Sequence, residues 1–190
     1  MSTRILAAIL SAITLVCPVA AFAQKPMELT ALDYIQIQQL VAKYARAIDT
    51  CSNNGYDYAD LYTADGVFVP VINGDSYTGV QGRDKLAEVS GGGSKGCKNV
   101  GWIKQGVRHI YVNHIITPTP EGATGTVDMM MIGLGGDPNK IAHDGYYEDI
   151  YVKTPQGWRF KRRTHHARLN GDRPPTEAPT AQKPAEGAKH

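Results

Sequence analysis

Very little charge of one sign is left over in this chain. The 20 Lys and Arg stand against 18 Asp and Glu, a formal net charge of +2. That excess is too small for the electrostatic footprint a nucleic-acid binder needs. The one short basic run, FKRR at 160–163, falls inside an alternating strand pattern and reads as its solvated face. A phosphate-binding loop is missing as well. GGGSKG at 91–96 lacks the P-loop spacing and has no helix signal after it, so it reads as a flexible segment outside the core. No serine sits in a nucleophile-elbow pattern, and no Cys/His set has zinc spacing. His143-Asp144 and His165-His166 are adjacent pairs whose side chains leave a strand on opposite faces, and His114 stands alone. No metal site is expected.

Cysteine is scarce: the chain has three. The first, Cys17, lies in the apolar run ILAAILSAITLVCPVAAFA, which follows Arg4 and ends on Ala21-Phe22-Ala23. That pattern predicts a signal peptide over residues 1–23, cut before Gln24, and a periplasmic or secreted protein with no membrane attachment after cleavage. An uncleaved anchor is the alternative, and Pro18 and the A-x-A pattern count against it. TLVC followed by proline is a poor lipidation signal. Cys51 and Cys97 remain. In an oxidising compartment they form either a disulfide, worth about 3–4 kcal/mol through its closed loop, or two unpaired thiols in loops. At the far end, residues 171–190 contain no large apolar side chain and read as a disordered, Pro-rich tail. Residues 24–170 are left as one domain with room for one core.

Within that domain the period changes once. Thr30-Ala31-Leu32-Asp33 has the form of a capping box, and Ile37, Leu40, Val41, Tyr44, Ala45 and Ile48 then recur at helical spacing. The spacing predicts an amphipathic helix ending near Asp49, broken by Cys51-Ser52-Asn53-Asn54-Gly55. A short helix at Tyr56–Tyr62, a strand at Val67–Ile72 and a second short helix at Arg83–Val89 follow. Residues 107–117, 123–134, 143–154 and 157–168 read as strands joined mostly by tight, turn-rich links. Helices first and a strand meander after predict an α+β domain: a cone-shaped, curved antiparallel sheet wrapped around the N-terminal helices. In the last strand, alternation puts Arg159, Lys161 and Arg163 on one face and Trp158, Phe160 and Arg162 on the other. Met129–Met131 reads as packing, with methionines on both faces.

The segments DYIQIQQLVAKYARAID, DLYTADGVF, GRDKL, VRHIYVNHII and YYEDIYVKTPQGWRFKRR, in that order over residues 29–168, resemble the SnoaL-like domain family of the nuclear transport factor 2 superfamily. The resemblance implies a cone of helices and sheet, and a homodimer or higher oligomer through the outer sheet face. Its dehydratase and dehydrochlorinase branch places an aspartate at the end of the first helix and a histidine at the start of the first long strand, positions matched here by Asp49 and His109. The tyrosine that precedes the aspartate in the dehydratases is Ile48, and a second dehydratase tyrosine falls near Pro70. The dyad is present while those two phenols are not.

The residues themselves point the same way. VRHIYVNHI at 107–115 is written as a strand, yet alternation lines one side with His109, Tyr111 and Asn113. A carboxylate bonded to one imidazole nitrogen fixes the tautomer and frees the other nitrogen to accept a proton. An Asp at a helix C-terminus opposes the helix dipole, which suggests that Asp49 has a further purpose. Tyr111 or Tyr44 is a candidate to protonate or polarise a substrate oxygen. Asp128 interrupts the apolar strand GTVDMMMI, facing either the cavity or the outer surface, and Tyr146 is a candidate for the mouth. Two readings stand at this point. One is a cofactor-independent lyase or isomerase acting on a small hydrophobic molecule, with His109 as base and Asp49 as its orienter. The other is a binding or association module of the same shape.

Overall fold

The computed structural model describes residues 25–97, 106–133, 137 and 139–168, so the expected signal peptide and tail lie outside the described residues. Helix α1 spans Ala31–Thr50 and starts at a true capping box, Thr30 and Asp33 each bonding the other's backbone N–H. Its buried stripe, Ile37, Leu40, Val41, Tyr44, Ala47 and Ile48, lies against the concave face of the sheet. Cys51 ends it in the left-handed region, at φ 50°. A 3-10 turn at Ser52–Gly55 leads to α2 at Tyr56–Ala59, shorter than the spacing predicted because Tyr62 already starts β1, Tyr62–Ile72. Two short strands, β2 (Asp75–Ser76) and β3 (Val80–Gln81), precede α3, Arg83–Val89. The meander is β4 (Arg108–Thr119), β5 (Gly122–Ile132), β6 (Ile141–Thr154) and β7 (Gly157–Arg168). Among the described residues, no helix is long and apolar enough to cross a membrane.

The sheet runs β2-β1-β7-β6-β5-β4, with β3 also paired to β1. One pairing corrects the antiparallel expectation. β1 lies parallel to β7 and makes the sheet mixed. A parallel pair needs a long connection, and here the whole meander supplies it, entering at the far edge on β4 and returning to β1. The other ladders are antiparallel.

Two bulges decide which side chains enter the cone. In β7 the pairing steps from Tyr151↔Phe160 to Ile150↔Arg162, leaving Lys161 as the extra residue. An extra residue reverses parity, so Phe160 and Arg163 both point inward. The expected solvated face at 160–163 is therefore corrected: Arg163 is 0 % exposed. In β4 the step from Val112↔Asp128 to Ile115↔Thr126 places Asn113 and His114 opposite Val127, with Asn113 at φ 54°.

The glycine-rich segment also differs from its reading. Gly91 and Gly92 are buried, and a Cβ on Gly92 would lie 2.0 Å from the Asn54 carbonyl oxygen. The segment packs backbone against backbone on the 3-10 turn. Cys51 and Cys97 form a disulfide with Cα atoms 6.0 Å apart, which fastens the end of that segment to the end of α1.

The other end of α1 is held by charge. Asp33 is buried; its Oδ1 accepts from Lys153 Nζ at 2.7 Å and Trp158 Nε1 at 2.9 Å, and its Oδ2 from the Thr30 hydroxyl at 2.7 Å. Lys153, then Thr30, hold its carboxyl well below the usual carboxylate range. Asp33→Ala strands the indole N–H and removes the cap together, so it should lower unfolding free energy by about 3 kcal/mol, and Asp33→Asn by less, in denaturant titrations.

Candidate functional site

Asp49, in the last turn of α1, meets the start of β4. Its Oδ1 lies 2.6 Å from His109 Nδ1, and its Oδ2 accepts the His109 backbone N–H at 3.1 Å. Both side chains are shielded, with exposures of 4 % for Asp49 and 6 % for His109. An ionised carboxylate can only accept, so the imidazole proton sits on Nδ1. Nε2 then carries the lone pair, and it bonds to none of the described residues. The dyad opens on a groove of about 600 Å³ between α1 and β4, lined by Val41, Ala45, Tyr111 and Val127 among others.

Deeper in the cone a cation sits among rings. The Arg163 guanidinium carbon lies 3.9 Å from the Tyr44 ring centre, 4.0 Å from Tyr147, 4.6 Å from Phe160 and 5.3 Å from Tyr111. Cation–π attraction is strongest when desolvated, and four faces around one charge partly replace water. The counter-ion is Asp149, 3.4 Å from Nε but not hydrogen-bonded to it. Burial pushes the Asp149 carboxyl up to about 6, against the pull of Arg163. Its Oδ2 takes the Tyr151 hydroxyl at 2.7 Å, and that oxygen is 3.0 Å from His114 Nε2. Because Tyr151 donates to Asp149, His114 donates to Tyr151. The guanidinium nitrogens and the Tyr111 hydroxyl are buried and have no hydrogen-bond partner among the described residues. Tyr111 connects the two centres, its ring stacked 6.4 Å from His109 and next to Arg163.

The SnoaL-like domain profile matches residues 29–164. The chain belongs to the SnoaL-like domain family. No curated protein matches it. Among solved structures, it is similar to a protein of unknown function with a cystatin-like fold from Nostoc punctiforme, at 22% identity and TM-score 0.58, covering 74% of this chain and 95% of the other. A candidate scytalone dehydratase from Novosphingobium aromaticivorans matches at 22% identity and TM-score 0.55, over 72% and 84% of the two chains. A candidate aromatic ring hydroxylase from the same organism matches at 22% identity and TM-score 0.53, over 73% and 91%. At such identities the likeness is one of fold.

In this SnoaL-like cone, three expected site residues stand elsewhere. Val127 and Met129 point inward, so Asp128 points out; it is exposed and accepts from Asn113 Nδ2 at 2.9 Å. The β4 bulge turns Asn113 off the His109 side, so that it reaches only the groove's rim. Tyr147 takes the inward place on β6, and Tyr146 lies outside, stacked on His166 at 4.4 Å. Tyr44 is inside, but its hydroxyl is 3.4 Å from that of Tyr58, and its ring bears on Arg163 rather than on the dyad. Arg163, Tyr58 and Tyr62 went unread. So did Asp149, although strand alternation does place it on the face of Tyr147 and Tyr151, a carboxylate between two phenols. Among the described residues, no group of three or more His, Cys, Asp or Glu is placed to hold a metal ion.

Buried histidines set the acid limit. Burial, then the charge of neighbouring groups, pulls His165 down from 6.5 to about 3 and His114 from 6.5 to about 4. The folded state keeps both neutral while the unfolded chain protonates them, so their contribution is full above about pH 6.5 and is lost as pH falls toward those lower values. Asp149 acts oppositely: raised from 3.8 to about 6, it favours the folded state more as pH falls through that window. Two groups outweigh one, and denaturation midpoints should drop between about pH 7 and about pH 5, with a shallower drop in His165→Phe.

Proposed function

We propose that this protein is a cofactor-independent lyase or isomerase, of the dehydratase type, that acts on a small hydrophobic molecule in the periplasm or outside the cell. His109 is the general base and Asp49 orients it. The observation that carries the reading is the shielded 2.6 Å contact at Nδ1, which leaves Nε2 without a partner among the described residues, beside the groove between α1 and β4. The candidate dehydratase among the structural neighbours supports the same class.

The chemistry needs only proton transfers. Nε2 takes a proton from a carbon next to an electron-withdrawing group, and the C–H electron pair moves into a new double bond. In an elimination, the leaving group departs with its own electron pair and takes the proton back from the His109 imidazolium, which restores the base. In an isomerisation, the proton returns to a different carbon. Asp49 stabilises the imidazolium formed, and it does so strongly because water is largely excluded. Negative charge developing on a substrate oxygen in the groove would lie beside Tyr111, whose hydroxyl has no hydrogen-bond partner among the described residues, with the Arg163 charge behind that ring. Burial pushes the Tyr111 phenol far above its ordinary range, so it is a neutral donor at working pH.

The base can be tested before the substrate is known. Exchange of the acidic C–H of 2-tetralone into deuterated water, followed by NMR, reports proton abstraction alone. The full chain should accelerate it over buffer. His109→Asn should lose about 10²–10⁴-fold, and Asp49→Asn, which no longer fixes the tautomer, should lose within the same range. Exchange no faster than buffer, or unchanged in both variants, would overturn the reading.

A further inference from the structure

A carboxylate sealed inside the cone is nevertheless joined to the groove. The Asp149 side chain is 0 % exposed, and so is that of its counter-ion Arg163. Asp149 Oδ2 accepts the Tyr151 hydroxyl at 2.7 Å, and the Tyr151 oxygen accepts Nε2–H of His114 at 3.0 Å. His114 is half-buried and lines the groove onto which His109 also opens. The bulge in β4 puts it there, since Asn113 and His114 together oppose Val127 and the parity of the strand changes between them. Two hydrogen bonds therefore lead from a groove-lining imidazole to a carboxylate that water does not reach. A carboxylate that served only to balance Arg163 would need no such line and would bond to it directly. Here Oδ1 is buried without a hydrogen-bond partner among the described residues, and Arg163 Nε stands 3.4 Å away.

We propose that His114 and Tyr151 pass protons between the groove and Asp149, and that the charge of Asp149 sets how much of the Arg163 charge is felt at the dyad; the consequence for catalysis rests on the proton-transfer reading. Each transfer balances. His114 takes a proton from the groove at Nδ1, its Nε2 proton passes to the Tyr151 oxygen, and the Tyr151 proton passes to Asp149 Oδ2. Asp149 becomes neutral, Tyr151 stays a phenol, and His114 stays a neutral imidazole with its proton on the other nitrogen. The hydrogen bonds then run the opposite way, and the reverse transfer restores the anion. The groups around the pair keep their charge meanwhile. Tyr44 on α1, Tyr62 on β1, Tyr111 on β4 and Tyr147 and Tyr151 on β6 are phenols held neutral by burial. Burial keeps His114 on β4 and His165 on β7 neutral down to about 4 and about 3. Arg163 does not lose its proton, and the exposed Glu148 pushes Asp149 further up. Among these groups Asp149, raised to about 6 chiefly by burial, is the one that titrates there. Above that value its anion offsets the cation; below it the pair carries a net positive charge. The Tyr111 ring lies 5.3 Å from Arg163 and 6.4 Å from the His109 ring, so a substrate oxygen beside Tyr111 would be nearer the cation than His109 is. Neutral Asp149 therefore favours the substrate anion more than it disfavours the imidazolium.

Carboxyl-carbon NMR on the full chain reads the path. The Asp149 signal, recognised by its loss in Asp149→Asn, should move as one averaged line with a midpoint of about 6. Tyr151→Phe and His114→Phe each cut the path, so the ionised and protonated forms should then give two separate lines. A midpoint in the ordinary carboxylate range of about 4, or one averaged line in both variants, would overturn the path. The His109 ring signals of the unaltered chain should carry a step at the Asp149 midpoint, and Asp149→Asn should lose it; absence of the step overturns the effect on the dyad. That step needs neither turnover nor a variant that folds. Deuterium exchange into 2-tetralone reads the consequence. Asp149→Asn should exceed the unaltered chain about threefold above about pH 7, and the ratio should fall to about one below about pH 5, where Asp149 is already neutral. A merely misplaced side chain would alter the rate without that pH dependence. Separate lines and a step, with no exchange by the unaltered chain, sink the proposed reaction alone; exchange with a flat ratio and no step sinks the control of the dyad alone.

Discussion

One carboxylate does two jobs at the junction of helix and sheet. Asp49 accepts the backbone N–H of His109 and its ring nitrogen at the same time. The first contact fastens α1 to β4, which among the described residues is an edge strand of the sheet. The second holds the imidazole in one tautomer. A buried anion opposed by the helix dipole is unfavourable by itself, so the paired donors of β4 are what make an aspartate tolerable at the end of α1. The position of the helix and the state of the base therefore cannot be separated. Any change that moves α1 along the sheet also moves the group on which the proposed proton transfer depends.

Two further restraints act on the same helix. Asp33 joins its start to Trp158 and Lys153 at the β6–β7 hairpin, and the Cys51–Cys97 bridge joins its end to the segment after α3. Asp49 lies two residues before the bridged cysteine. The helix is fixed at three points along its length, two of them charged and one covalent, while the apolar stripe between them fills the cone. This arrangement suits a site that must hold a base within a few tenths of an ångström of its orienter, because positional error at the dyad reduces catalysis steeply.

What could be read from residues alone followed from how local each determinant is. α1 was legible because a capping box and a 3.6-residue stripe are both written within 20 residues of chain. Asp49 and His109 were legible because one ends that stripe and the other opens an alternating run. Arg163 was not. Alternation counted along β7 sends it outward, and only the extra residue at Lys161, visible in the step of its pairing with β6, sends it in. Asn113 failed for the same reason in β4. The parallel pairing of β1 with β7 was hidden differently, since strand direction is set by where the chain re-enters the sheet some ninety residues later, which no local pattern records. Gly92 looked like slack because glycine marks both mobile and tightly packed backbone; its crowding against Asn54 exists only in three dimensions.

The errors of parity and the chemistry of the cone share a cause. Strict alternation along β7 would have carried Arg162 inward after Phe160 and left Arg163 in solvent. One inserted residue brings a permanent cation into the tyrosine cage, where Asp149, itself pushed toward neutrality by burial, only partly offsets it. A charge held at that depth is costly unless something repays its lost hydration. The rings of Tyr44, Tyr147, Phe160 and Tyr111 do so in part. What they leave uncompensated is a positive field inside the packed cone, on the far side of Tyr111 from His109. A base that withdraws a proton from carbon creates negative charge on the substrate, and the bulge in β7 has put the opposite sign within the same enclosure. In this cone the irregular positions of the strands, more than the regular ones, seat the charge on which the proposed chemistry would draw.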